Sequence, residues 1–162
     1  MRPALLAAVL VVGGFVGSSE AQPLSNSLID LGAIHVRIVQ VDEPWEAIRL
    51  TEASLQTAVE LRLRQSGIVI ADAESWPELS VAVLISPATA GEITIGYSYR
   101  IDVNLRELVT IPRTAEIIEA VTWASAGVVG TTSPERTRTI IREAVADGID
   151  EFSNDYLAAN PR

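Results

Sequence analysis

The chain has 162 residues, 48% hydrophobic and 20% charged, with a formal charge of −9; that length suits one domain, and the composition is that of a folded chain with a substantial core. The acidity works against nucleic acid and anionic lipid as partners, because all 12 basic residues are arginines and they form no basic run. Cysteine is absent, which excludes disulfides, thiolate metal sites, cysteine nucleophiles and a lipid anchor on an N-terminal cysteine.

Residues 1–21 read as a cleavable signal peptide. Arg2 supplies a positive start, and the apolar stretch 4–16 is too short for a membrane-spanning helix, which takes about 20 residues. Ser19-Glu20-Ala21 then offers small residues at the two positions a signal peptidase reads. Cleavage after Ala21 would export the product, to the periplasm or beyond, with no stable membrane span. Residues 22–32, holding Pro23, Ser25, Asn26, Ser27 and Gly32, read as a lead-in with little regular structure, which leaves 33–162 as a single domain.

In the domain the hydrophobic period changes several times. Residues 33–41 alternate, with Ile34, Val36 and Ile38 on one side, and predict a strand. Leu55, Val59 and Leu63 then recur at four-residue steps, predicting an amphipathic helix over 51–66 with Thr51 as N-cap and Gly67 at its end. A short strand is expected at 68–71 and another from Leu79 through Ser86, ending at Pro87. After a five-residue connection comes the clearest strand, with Ile93, Ile95, Tyr97, Tyr99, Ile101, Val103 and Leu105 facing one way; this pattern suits an antiparallel hairpin with one buried and one wet face. Residues 110–120 have no clear period, and strand extension, loop and helical turn all stay open. A strand is expected over 121–129, anchored by Trp123 and with Gly127 permitting a bulge or close approach.

Ser133-Pro134-Glu135 reads as a helix start, with a capping hydroxyl, a proline at the first turn and an acid near the positive helix end. The apolar stripe that follows runs through Ile140, Ile141, Ala144, Val145, Ile149, Phe152, Tyr156 and Leu157, with Gly148 inside it as a close-packing contact to the sheet. The predicted order is β-α-β-β-β-β-α. The fold class is α+β, a two-layer sandwich whose mostly antiparallel sheet is covered on one face by two helices.

Chemistry-bearing patterns are sparse. His35 is the only histidine, and Ser125, in Trp-Ala-Ser-Ala-Gly, lacks the first glycine of a nucleophile elbow. His35, near Arg37, reads as a partly exposed structural residue. Asp147, Asp150, Glu151 and Asp155 crowd the last helix, and spacings of three and four set Asp147 beside Asp150 and Glu151, where a divalent ion could bridge them, but a solvated face opposite the apolar stripe is the simpler reading. Neither a calcium loop, a phosphate-cradling glycine loop nor a dinucleotide fingerprint is present, so no cofactor and no metal ligand set are expected. Trp45 and Trp76 lie in proline-flanked connections, where they either anchor a partner or, the favoured reading, cap the ends of the core. With the wet strand face of Arg100, Asp102, Asn104 and Arg106 they form the candidate partner-binding surface, for which an ordinary solvated face is an equal alternative.

The last segment, from Val121-Thr122-Trp123-Ala124-Ser125 to Glu151-Phe152-Ser153-Asn154-Asp155-Tyr156-Leu157-Ala158-Ala159-Asn160-Pro161, resembles the C-terminal part of small secreted or periplasmic bacterial proteins. The element order is similar to that of envelope-assembly accessory domains such as the lipopolysaccharide-assembly lipoprotein and the curli-secretion lipoprotein, although their lipidated cysteine is missing here. The resemblance implies a helix-covered sheet and a role in the cell envelope. Expected, then, is a non-enzymatic exported binding or assembly module that takes up an envelope protein or component through its sheet edge or its wet face. The alternatives are a carboxylate- or metal-dependent hydrolase and a carrier of a small apolar ligand.

Overall fold

Those changes of period become five strands and two α-helices among the described residues of the computed structural model, which are 25–161 apart from 42–44, 46 and 73. The expected signal peptide and residues 22–24 lie outside them. In chain order the elements are a 3₁₀ turn (Ser25–Leu28), β1 (His35–Val41), α1 (Glu52–Gln65), β2 (Glu78–Ala90), β3 (Ile93–Thr110), β4 (Ile117–Ala124), β5 (Val128–Thr132) and α2 (Thr137–Ala159). The sheet order is β1-β2-β3-β4, with β5 also paired to β3. β1 and β2 run parallel across the crossover helix α1, and every other pairing is antiparallel. β3 is the spine: β2 borders one side, while β4 (against 104–110) and β5 (against 97–101) lie end to end along the other.

The α+β class holds, and so does the order of elements, although two elements differ from their expected form. Residues 68–71 make only a single bridge, Ile34 to Ile70, because the chain leaves the sheet at once for the connection to β2. The expected strand 121–129 is instead two strands, broken at Gly127, whose φ of +70° bends the chain between β4 and β5. Residues 110–120 are a hairpin, with Thr110 opposite Ile117 and Ile111 N–H donating to the Glu116 carbonyl at 2.8 Å. The β2–β3 connection is a two-residue turn at Gly91 and Glu92, shorter than expected, because β2 continues through Pro87 to Ala90. A proline is tolerated there because β1 pairs with β2 only as far as Leu84, so β2 is an edge beyond that point.

Both helices cover the same face. α1 has the predicted start: Thr51 accepts from Ser54 N–H at 3.2 Å, and the Ser54 hydroxyl accepts from Thr51 N–H, so each satisfies an orphan amide of the helix end. α2 begins at Thr137, later than Ser133-Pro134-Glu135 suggests, because those residues form a separate turn whose Ser133 carbonyl accepts from Arg136 N–H, Thr137 N–H and the Thr137 hydroxyl. Glu135 is held below the ordinary carboxylate range by its own backbone N–H and then by the Ser133 hydroxyl. Ile141, Val145, Ile149 and Phe152 of α2 are buried over the β3 residues Ile101, Val103 and Leu105, whereas Leu157 at the end of the predicted stripe is exposed.

Gly148 is the close contact foreseen: a Cβ there would lie 2.8 Å from Val103 Cγ2. Trp123 meets Phe152 edge-on at 5.0 Å and donates its indole N–H to Asp155 at 2.9 Å. The lead-in is more structured than expected. Leu28 is fully buried, and Asn160, just past α2, binds it by donating to the Leu28 carbonyl (2.7 Å) while accepting from Asp30 N–H (2.9 Å).

Candidate functional site

The alternation that buries one side of β1, β2 and β3 turns the other to solvent, and no helix among the described residues covers that side. On it, the register sets Glu78, the first residue of β2, opposite His35 of β1 and Arg106 of β3. Glu78 is only 9% exposed, since two arginines close over it: Arg37 at 3.8 Å and Arg106 at 3.1 Å. Arg106 also contacts Glu119 of β4. The result is a ladder of alternating sign, Arg37-Glu78-Arg106-Glu119, crossing four adjacent strands, and its buried acid is fully compensated. Trp76 is 40% exposed beside the ladder, with the Arg106 guanidinium carbon 6.0 Å from its ring centroid.

Apolar side chains surround the β4 end of the ladder. Residues opposite one another share a face, so Val121 (opposite Arg106), Leu108 (opposite Glu119) and Ile117 (opposite Thr110) all lie on the open side. They are 53%, 52% and 68% exposed. The strand that carries two of them is also the edge of the sheet over that length.

The structure therefore brings together part of the candidate surface. Arg106 and Trp76 are in contact, and Arg100 forms a two-pronged pair with Asp102 at 2.7 and 3.1 Å further along the same face. That pair, which is led by the hydrogen bond to Asp102, raises the Arg100 pKa above its ordinary value. Asn104 lies between the two groups on the same strand face. Trp45 is apart from all of them, 8% exposed in the core, as the end-capping reading has it. Arg37, Glu78 and Glu119 were missed because only strand order and register juxtapose them. Leu108, Ile117 and Val121 were missed because they lie in or beside the stretch that has no readable period.

Two of the acids of α2 have other work. Asp150 takes two hydrogen bonds from Arg62 of α1, at 2.5 and 2.6 Å, and that bonding holds its carboxyl below the usual range and raises the Arg62 pKa in turn. Asp155 accepts from Trp123. Among the described residues no three His, Asp or Glu side chains come together to hold a metal ion. An apolar recess of about 220 Å³ lies between α1 and α2, floored by Leu55, Val59 and Ile149 and rimmed by Arg62 and Arg142. All of its lining residues belong to the two helices and none to the sheet.

No helix among the described residues is long and apolar enough to cross a membrane. No protein-family model matches the chain, and no curated protein matches it. Solved structures do overlap it partially. A PelC dodecamer from Paraburkholderia phytofirmans shares 17% identity, covering 76% of this chain and 85% of that one, with a TM-score of 0.43. The rare lipoprotein B from Shewanella oneidensis shares 15%, covering 76% and 94%, with a TM-score of 0.36. A minor lipoprotein from Acinetobacter baumannii shares 13%, covering 76% and 92%, with a TM-score of 0.32. Two of these three similar structures are thus of bacterial lipoproteins.

Proposed function

We propose that the chain is an exported, non-catalytic binding module of the cell envelope that holds a protein partner on the open face of its sheet. The observation that carries this reading is the mixed patch at the β3–β4 end, where Leu108, Ile117 and Val121 stand exposed around the Arg106–Glu119 pair and Trp76. An arginine and a tryptophan within an apolar patch have the composition of protein-binding hot spots. Folding alone gives no reason to leave three large apolar side chains in water on one face. The ladder is charge-balanced, which suits a polar protein surface better than a free anion or cation. Export is supported by the pattern of residues 1–21.

A photocrosslinking residue placed singly at Leu108, at Val121 and, as a control, at exposed Thr57 on α1 tests this in cells that export the protein. Adducts of one common mass are expected from the first two positions and none from Thr57. The reading would be lost if all three positions gave the same products, or if neither sheet position gave any.

A further inference from the structure

A second edge of the sheet points to a different site. We infer that the outer edge of β1, together with the first turns of α1, takes up an extended peptide carrying basic side chains as an added strand. The site lies at the opposite edge of the sheet from the β4 patch and goes beyond the proposal above.

The backbone of β1 fixes which groups face outward. Ile34 directs both of its groups away from β2, donating to the Val69 carbonyl at 3.0 Å and accepting from Ala71 N–H at 2.8 Å. His35 faces the other way and donates to the Pro77 carbonyl at 2.9 Å. Alternation along the strand then turns Val36, Ile38 and Gln40 outward. Val36 conforms, because its carbonyl accepts from the Gln56 side chain at 3.0 Å. Among the described residues, the Val36 amide and both backbone groups of Ile38 and Gln40 have no partner. The chain thus adds its own strand to this edge for one residue at Ile34, then departs at Ala71. Beyond that point a row of amides and carbonyls is left open.

Such an edge is a template for strand addition. Here it is recessed, since α1 stands beside it and makes a groove of about 490 Å³. The rim selects the sign of the occupant. Glu52 at the start of α1 and Glu74 in the connection to β2 line the groove, both exposed and neither ion-paired among the described residues. Arg37 and His35 also line the groove, but the Arg37 guanidinium lies against Glu78 on the open face, at 3.8 Å. Backbone pairing would therefore hold the peptide, and two carboxylates would favour arginine or lysine at its ends.

The test is a titration of isotope-labelled protein with a peptide of alternating valine and threonine bearing arginine at both ends, and with the same peptide bearing glutamate instead. The arginine peptide is expected to shift the Ile38 and Gln40 amides and to slow their hydrogen exchange about tenfold or more. The Glu52→Gln/Glu74→Gln double variant should bind it about fivefold more weakly at low salt. Val121→Asp, which disrupts only the β4 patch, should bind it normally, so that failure of one site is distinguishable from failure of the other. Four results would overturn the inference: no binding of the arginine peptide, binding that leaves Ile38 and Gln40 unmoved, equal affinity for both peptides, or full protection of those two amides before any peptide is added.

Discussion

Val103 and Asn104 are neighbours on β3, and they lead into two different molecules. On the side of Val103, every β3 side chain from Ile101 to Leu105 is sealed beneath α2, tight enough that Gly148 leaves no room for a Cβ. On the side of Asn104, the same strand carries one ion pair along its length, Arg100 with Asp102, and others across the sheet from Arg106, and it ends among exposed Leu108, Ile117 and Val121. Burial of large side chains supplies most of the folding free energy, and half-exposed ion pairs supply little. Stability should therefore reside on one face and binding on the other, so that substitutions on the two faces move different observables.

The largest effect belongs to the sealed side. Phe152→Ala removes a fully buried ring packed on Trp123 and should lower unfolding free energy by about 3–5 kcal/mol in denaturant titration. Gly148→Ala comes next. Overpacking against Val103 costs about 1–3 kcal/mol, and the helix-propensity gain of about 1 kcal/mol offsets only part of it. The same substitution should cost less in a Val103→Ala background, a coupling that a double-mutant cycle reads directly. Thr51→Ala should cost about 1 kcal/mol through loss of the α1 cap.

Smaller still is Asp150→Asn. Its carboxyl is depressed in the folded state by Arg62, so the pair stabilises above the ordinary aspartate range and loses its contribution as pH falls through the depressed value. Both side chains are nearly half exposed, which keeps the contribution below about 1 kcal/mol. Wild type and variant should thus differ slightly in melting temperature at neutral pH and converge in acid. Val121→Asp should shift stability by no more than about 0.5 kcal/mol while abolishing the partner adduct at Leu108.

How much of this division was legible depended on its range along the chain. The sealed face could be read because its signals are local: Leu55, Val59 and Leu63 repeat within one helix, and Gly148 interrupts a stripe that otherwise demands a side chain. The alternation of β3 likewise declared that one side would be wet. It did not declare where the seal would stop. Ile93 and Ile95 continue the inward pattern, yet they are exposed in the hairpin arm. The ladder was illegible for a stronger reason. Arg37, Glu78, Arg106 and Glu119 come from four strands, and their meeting depends on strand order and on a bulge between Leu105 and Arg106 that no single segment encodes. Trp45 and Trp76 occupy similar contexts in the sequence and part company in the fold, one entering the core and the other lying against Arg106.

The natural absence of cysteine permits one direct measurement of the two faces. Single cysteines substituted at 100, 101, 102, 103 and 104 would be labelled with a small maleimide under native conditions. Positions 100, 102 and 104 should react at nearly the rate of a free thiol. Positions 101 and 103, which must wait for α2 to open, should be slower by about 100-fold or more. Reaction at equal rates along the strand, or faster reaction at 101 and 103, would contradict a sheet sealed on one side and open on the other.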